Sequence, residues 1–139
     1  MAFLKDGKYT VSFQSTVQYL EKVESITSSI AREAGFDESS TDDLSIAITE
    51  LFNNAIHHGN RGNEKKTVTL TYILHSKYLS ISVLDQGDGF IPDNIKNPLD
   101  PENLLAESGR GIYLVKMLMD GIDFNITENG SEIIIRKNL

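Results

Sequence analysis

Residues 50–60 read ELFNNAIHHGN, which places Glu50 and Asn54 four positions apart. On a helix that spacing puts them one turn apart on a shared face. The apolar stripe of the same helix runs through Leu44, Ile48, Leu51 and Ala55. At about 100° per residue, the pair lies on one flank of that stripe and not opposite it. A carboxylate and a carboxamide at the edge of a core face are costly to desolvate without a partner. A metal ion, a phosphate or a nucleophile's proton would each serve.

Two glycine-containing segments follow. Asp85-Gln86-Gly87-Asp88-Gly89-Phe90 closes a strand, and by period two Asp85 continues the buried face of Leu79, Ile81 and Val83. A buried carboxylate needs donors, and an adenine amino group is a good one. Gly87 and Gly89 would let the backbone approach a flat base; a plain Asp/Gly turn is the plainer account. Ser108-Gly109-Arg110-Gly111 precedes a helix beginning Ile112-Tyr113-Leu114. Glycines there expose free N–H groups and the positive dipole end, a seat for phosphate oxygens, although a simple loop-to-helix transition has the same look. Together with the Glu/Asn helix, the order of the three segments points to a nucleotide site.

The elements that must position these residues can be read from periodicity. Residues 8–13 alternate as a half-buried strand. Ser15 with Gln18 predicts a capping box opening a helix through about Ala34, its apolar positions running from Val17 to Ala34 and its stop at Gly35. A second helix is expected from about Thr41 to His58, with Ser39 or Ser40 as N-cap and Gly59 at its end. Residues 67–74 and 78–85 alternate as an antiparallel hairpin, apolar on one face and Thr/Ser on the other. A helix over 111–119 and strands 122–127 and 132–137 around Glu128-Asn129-Gly130 complete the chain. This order predicts an α/β two-layer sandwich, a mixed and mostly antiparallel sheet with three helices on one face, in a single domain over 1–139.

All three prolines, Pro92, Pro98 and Pro101, fall in 90–108, a stretch of about twenty residues suited to a lid or binding loop. His57 and His58 point about 100° apart and cannot chelate one metal together. His58 is expected to pack; His57 shares the Glu50/Asn54 flank and could reach a phosphate there, but is expected to face solvent. Met117 and Met119 are expected as core filler.

A net charge of −7 over 139 residues argues against a nucleic-acid partner, which would need a basic face. It does not exclude ATP, because Mg²⁺ and backbone N–H groups can replace many lysines. No stretch is long and apolar enough to span a membrane, the N-terminus does not read as an export signal, and cysteine is absent, all of which fit a cytoplasmic protein.

The segments Glu50-x-x-x-Asn54 with His58-Gly59, Asp85-x-Gly87-x-Gly89, Gly109-x-Gly111 and the trailing Leu118-Met119-Asp120 resemble the N, G1 and G2 boxes of the GHKL ATP-binding superfamily of gyrase and histidine kinases. Within it the chain most resembles the small bacterial anti-sigma factor serine/threonine kinases. That resemblance implies a histidine-kinase-like ATPase fold and the cofactors ATP and Mg²⁺. Asn54 would hold the metal. Glu50 would be the general base toward a partner's Ser or Thr hydroxyl. Asp85 would bind the adenine amino group, with Gly87 and Gly89 shaping the base pocket. Gly109, Arg110 and Gly111 would line the phosphates beneath the 90–108 lid. Arg110 either stabilises transition-state charge or faces solvent; Lys96 is the other cation of that stretch. The implied partners are an anti-sigma factor antagonist protein and a sigma factor, and the implied assembly is a homodimer. The competing reading is a non-catalytic ATP-binding module that controls a partner by nucleotide-dependent binding. A histidine kinase's catalytic half is disfavoured, because residues 1–14 are too short for a phosphoacceptor helix.

Overall fold

Period-two alternation becomes a five-stranded sheet in the computed structural model, which describes residues 3–87, 107–127 and 129–139, with the backbone alone for 107–110. The strands are β1 (Lys8–Gln14), β2 (Thr67–Leu74), β3 (Tyr78–Leu84), β4 (Gly121–Thr127) and β5 (Gly130–Asn138). Their order is β1-β2-β3-β5-β4, and all four pairings are antiparallel. The register aligns apolar side chains in rows across the sheet. One row is Val11–Leu70–Val83–Ile133–Phe124, and the next is Tyr9–Tyr72–Ile81–Ile135–Ile122. Rows of this kind are what cross-strand pairing stabilises. The opposite face carries the hydroxyls, with Ser12 and Thr69 paired at 2.7 Å.

Helices α1 (Leu20–Ala34), α2 (Glu38–Asn54) and α3 (Glu107–Leu118) form the second layer. Helix α2 packs against both of the others. This central place explains why its buried surface is wider than the predicted stripe: Ala47 and Phe52 are as fully enclosed as Leu44, Ile48 and Leu51. The α/β two-layer arrangement with three helices is the one expected from the order of elements.

Four local expectations change. The predicted Ser15–Gln18 capping box does not form. The chain instead enters α1 through a 3₁₀ turn at Val17–Tyr19, Val17 is 52% exposed, and the buried Ser15 hydroxyl has no partner among the described residues. Helix α2 starts earlier than Thr41, because Asp37 and not Ser39 or Ser40 is the N-cap, its carboxylate accepting from the Ser40 N–H at 2.8 Å. The described part of helix α3 starts at Glu107, so Ser108 to Gly111 lie within the helix and do not precede it. Met119 is buried as expected, but Met117 is 66% exposed, because the inward face of α3 is set by Ile112, Val115 and Met119.

One polar contact locks α1 to the sheet. The Thr27 hydroxyl donates to the Val23 carbonyl at 2.8 Å, which leaves the Tyr72 hydroxyl as donor in its 2.7 Å bond to Thr27. Tyr72→Phe should therefore cost about 1 kcal/mol, whereas Thr27→Val strands a buried phenol and should cost about 1–3 kcal/mol. Urea denaturation of the two variants checks that order. Burial also pushes the Tyr72 phenol above its ordinary range. The folded protein thus keeps a proton that the unfolded chain loses near pH 10, so stability falls as pH rises beyond that point. Tyr72→Phe should remove that part of the alkaline loss.

Candidate functional site

The site is built around the end of α2. The helix runs regularly to Asn54 and then widens into a π turn over Ala55–Gly59. The Asn60 N–H bonds the Ala55 carbonyl at 2.7 Å and the Gly62 N–H bonds that of Ile56 at 2.8 Å. Extra residues in one turn are uncommon and tend to occur at functional sites. They also invalidate a 100° extrapolation past Asn54. Both His57 and His58 are exposed, so the expectation that His58 packs into the core is corrected. Each imidazole instead lines the same pocket as Glu50 and Asn54.

That pocket has a volume of about 310 Å³ and is walled by Glu50, Asn53, Asn54, His57, His58, Gly111 and Ile112. It is thus near the lower end of the usual range for small-molecule sites. Helix α3 runs antiparallel to α2 across it. At one end Lys137 donates to the Leu118 carbonyl at 2.9 Å and lies 3.7 Å from the Asp43 carboxylate, tying the C-terminus of α3 to the start of α2. At the other end, Gly111 meets Glu50: a Cβ at residue 111 would lie 2.7 Å from Glu50 Oε2. The Glu50 carboxylate therefore lies against α3 at Gly111, near the N-terminal end of the described helix. Among the described residues the side chains of Glu50, Asn53 and Asn54 make no hydrogen bond. Their oxygens are hard donors of the kind that suit Mg²⁺ together with phosphate oxygens. No cluster of three His, Cys, Asp or Glu exists among the described residues.

Asp85 lies at the far end of the π turn. It is 6% exposed and already well supplied with donors. Oδ1 accepts from the Gly87 N–H at 2.9 Å and the Ser131 N–H at 3.0 Å, and Oδ2 accepts from the Ser131 hydroxyl at 2.9 Å. A ligand is therefore not needed to satisfy this carboxylate, which amends the argument from burial alone. A carboxylate has about four lone-pair sites, so Oδ2 retains one for a further donor. The backbone closes tightly around it. A Cβ at Gly59 would collide with the Asp85 carboxylate, and one at Gly87 with the Gly59 carbonyl. Only glycine fits at either position.

Of the residues singled out from sequence, Glu50, Asn54 and Gly111 share one pocket, and Asp85 and Gly87 meet at the other end of the turn that leaves it. Gly109 and Arg110 lie in α3, where the backbone alone is described; Gly89, Lys96 and all of the 90–108 stretch before Glu107 lie outside the described residues. Sequence reasoning missed Asn53 and Ser131 as parts of the site, and placed Gly59 in the matched motif without its contact to Asp85. Asn53 is one position from Asn54 and could have been placed on the same flank. Ser131 carried no signal, because it reaches Asp85 only through the pairing of β3 with β5.

Comparison with known proteins agrees with the fold. Residues 13–137 match the histidine kinase-like ATPase domain. The chain is 27% identical over 142 residues to the serine-protein kinase RsbW of Listeria monocytogenes serovar 1/2a, covering 98% of this chain and 90% of that protein. It is 32% identical over 128 residues to the RsbW of Bacillus licheniformis, covering 88% and 79%. Against the RsbW of Oceanobacillus iheyensis it is 30% identical over 104 residues, covering 70% and 66%. Among solved structures, a chain with the RsbU and RsbW domains of a Mycobacterium tuberculosis protein superposes with TM-score 0.69 at 17% identity, over 94% of this chain and 32% of that one. The catalytic domain of the histidine kinase ThkA gives TM-score 0.60 at 14% identity, over 93% and 96%. These two likenesses speak to the fold. Among the described residues no helix is long and apolar enough to cross a membrane. With the domain match running along nearly its whole length, the chain belongs to the histidine kinase-like ATPase family of the GHKL superfamily, where it is most like the RsbW serine-protein kinases.

Proposed function

We propose that the protein is an ATP-dependent serine/threonine kinase that acts as an anti-sigma factor, phosphorylating a small antagonist protein and so controlling a sigma factor. The observation that carries this reading is Glu50, a carboxylate without a hydrogen-bond partner among the described residues, lying against α3 at Gly111 in the pocket that also holds Asn54. A base so placed can accept a proton from a hydroxyl entering that pocket. As the hydroxyl oxygen bonds to the γ-phosphorus, the bond to the bridging oxygen breaks, ADP departs and the hydroxyl proton passes to Glu50. Asn54 would hold Mg²⁺ through its side-chain oxygen, and the ion would neutralise phosphate charge. Backbone N–H groups near the N-terminal end of α3, at Gly109 and Arg110, receive phosphate oxygens. Asp85 Oδ2 accepts from the adenine amino group. The chain acts in this reading as one domain, in the cytoplasm, as a homodimer.

A second reading keeps nucleotide binding and drops phosphotransfer. Incubation with labelled ATP, Mg²⁺ and a candidate antagonist separates the two: label on a Ser or Thr of the partner supports the kinase, and tight ATP binding without any transfer supports the module. Gly111→Ala offers a finer check. Its methyl group must displace Glu50 Oε2, so turnover should fall by about tenfold or more while ATP affinity changes little. Parallel kinetic and calorimetric measurements test this.

A further inference from the structure

Strands β2 and β3 stop pairing at Thr69 and Leu84. Two side-chain amides replace the missing ladder. The Gln86 N–H donates to Asn60 Oδ1 at 2.8 Å, and Asn60 Nδ2 donates to the Thr67 carbonyl at 3.0 Å. The Thr67 N–H in turn donates to Gln86 Oε1 at 2.8 Å. Asn60 is only 1% exposed and its two bonds are part-buried, whereas the Thr67–Gln86 bond is exposed. Gln86 stands between Asp85 and Gly87, the acid and the backbone donor of the base-side site. Asn60 itself follows the π turn whose last residue, Gly59, is pressed against the Asp85 carboxylate.

We infer that Asn60 is a positioning residue for the base: its carboxamide fixes the Asp85–Gly87 segment and thereby sets the preference for adenine over guanine. This inference rests on Asp85 as the adenine acceptor. A carboxylate oxygen welcomes the amino group of adenine and repels the carbonyl oxygen that guanine presents at the same place. That contrast depends on where the oxygen is held, and Asn60 holds the peptide next to it. Gln86 contributes only its side chain to the Thr67 N–H, so its own backbone bond to Asn60 survives truncation.

The test is calorimetric affinity for Mg·ATP and Mg·GTP with the full chain. Asn60→Ala removes both bonds and should weaken ATP by about tenfold while changing GTP much less, so that the ATP:GTP ratio drops. Asn60→Asp has the same shape, keeps the acceptor for Gln86 N–H and loses the donor to Thr67, so its ratio should fall between the wild type and Asn60→Ala. Gln86→Ala should keep the wild-type ratio. A merely structural role would lower both affinities in parallel, so an unchanged ratio in Asn60→Ala overturns the inference. Should that variant not fold, Asn60→Leu, which also lacks both amide groups and better fills the buried space, is measured instead, and an unchanged ratio there does the same. A wild-type protein with no preference for ATP over GTP would remove the Asp85 reading itself, a different failure from loss of the Asn60 effect alone.

Discussion

Glu50→Ala is expected to bind Mg·ATP as the wild type does and to lose transfer to the partner's hydroxyl by about 10²- to 10⁴-fold, the usual contribution of a positioned general base. The separation of the two effects follows from the geometry. Asn54 and the N-terminal end of α3 remain in place, and the substitution only removes a carboxylate lying against Gly111. Glu50 is half-buried at the pocket edge and is not part of the buried apolar set, so the fold should tolerate its loss. Labelled-phosphate transfer measured beside calorimetric ATP affinity checks both halves. Transfer at the wild-type rate would remove Glu50 as the base. A joint loss of binding and transfer would assign it a role in holding the nucleotide instead.

Asp85→Asn should act on the other end of the site, weakening ATP binding with little change in thermal midpoint. An Asn carbonyl can still accept from the Gly87 and Ser131 N–H groups, and its amide can donate to the Ser131 hydroxyl. The internal network therefore survives. Toward the adenine amino group, however, a donor now faces a donor. Loss of a hydrogen bond to a charged acceptor costs about 1.5–3 kcal/mol, or roughly 10- to 100-fold in affinity. Unchanged affinity would dismiss adenine recognition by this residue. A large fall in the melting temperature would show instead that the carboxylate serves mainly to close the β3–β5 corner.

Local signals were sufficient for the strands. Residues 67–74 alternate cleanly, and the sheet buries Val68, Leu70 and Tyr72 as the alternation requires. They were also sufficient for the Glu50/Asn54 flank, because four residues of regular helix separate the two. Helix starts were less legible. Several Ser, Thr and Asp residues stand near each N-terminus, and Asp37 prevailed over Ser39 and Ser40 through a backbone geometry invisible in composition. Ser15 failed as a cap because the chain tightens into a 3₁₀ turn at Val17.

From its residue order alone this chain declares alternating sheet, amphipathic helices, and the types and spacings of Glu50, Asn54, Asp85 and Gly87, since these depend on periodicities of a few residues. Tertiary structure alone decided that Gly111 abuts Glu50, that Ser131 clamps Asp85 across 46 residues, and that a π turn brings His58 into the pocket. Such contacts arise from strand order and helix crossing, which close loops far longer than any local pattern can report.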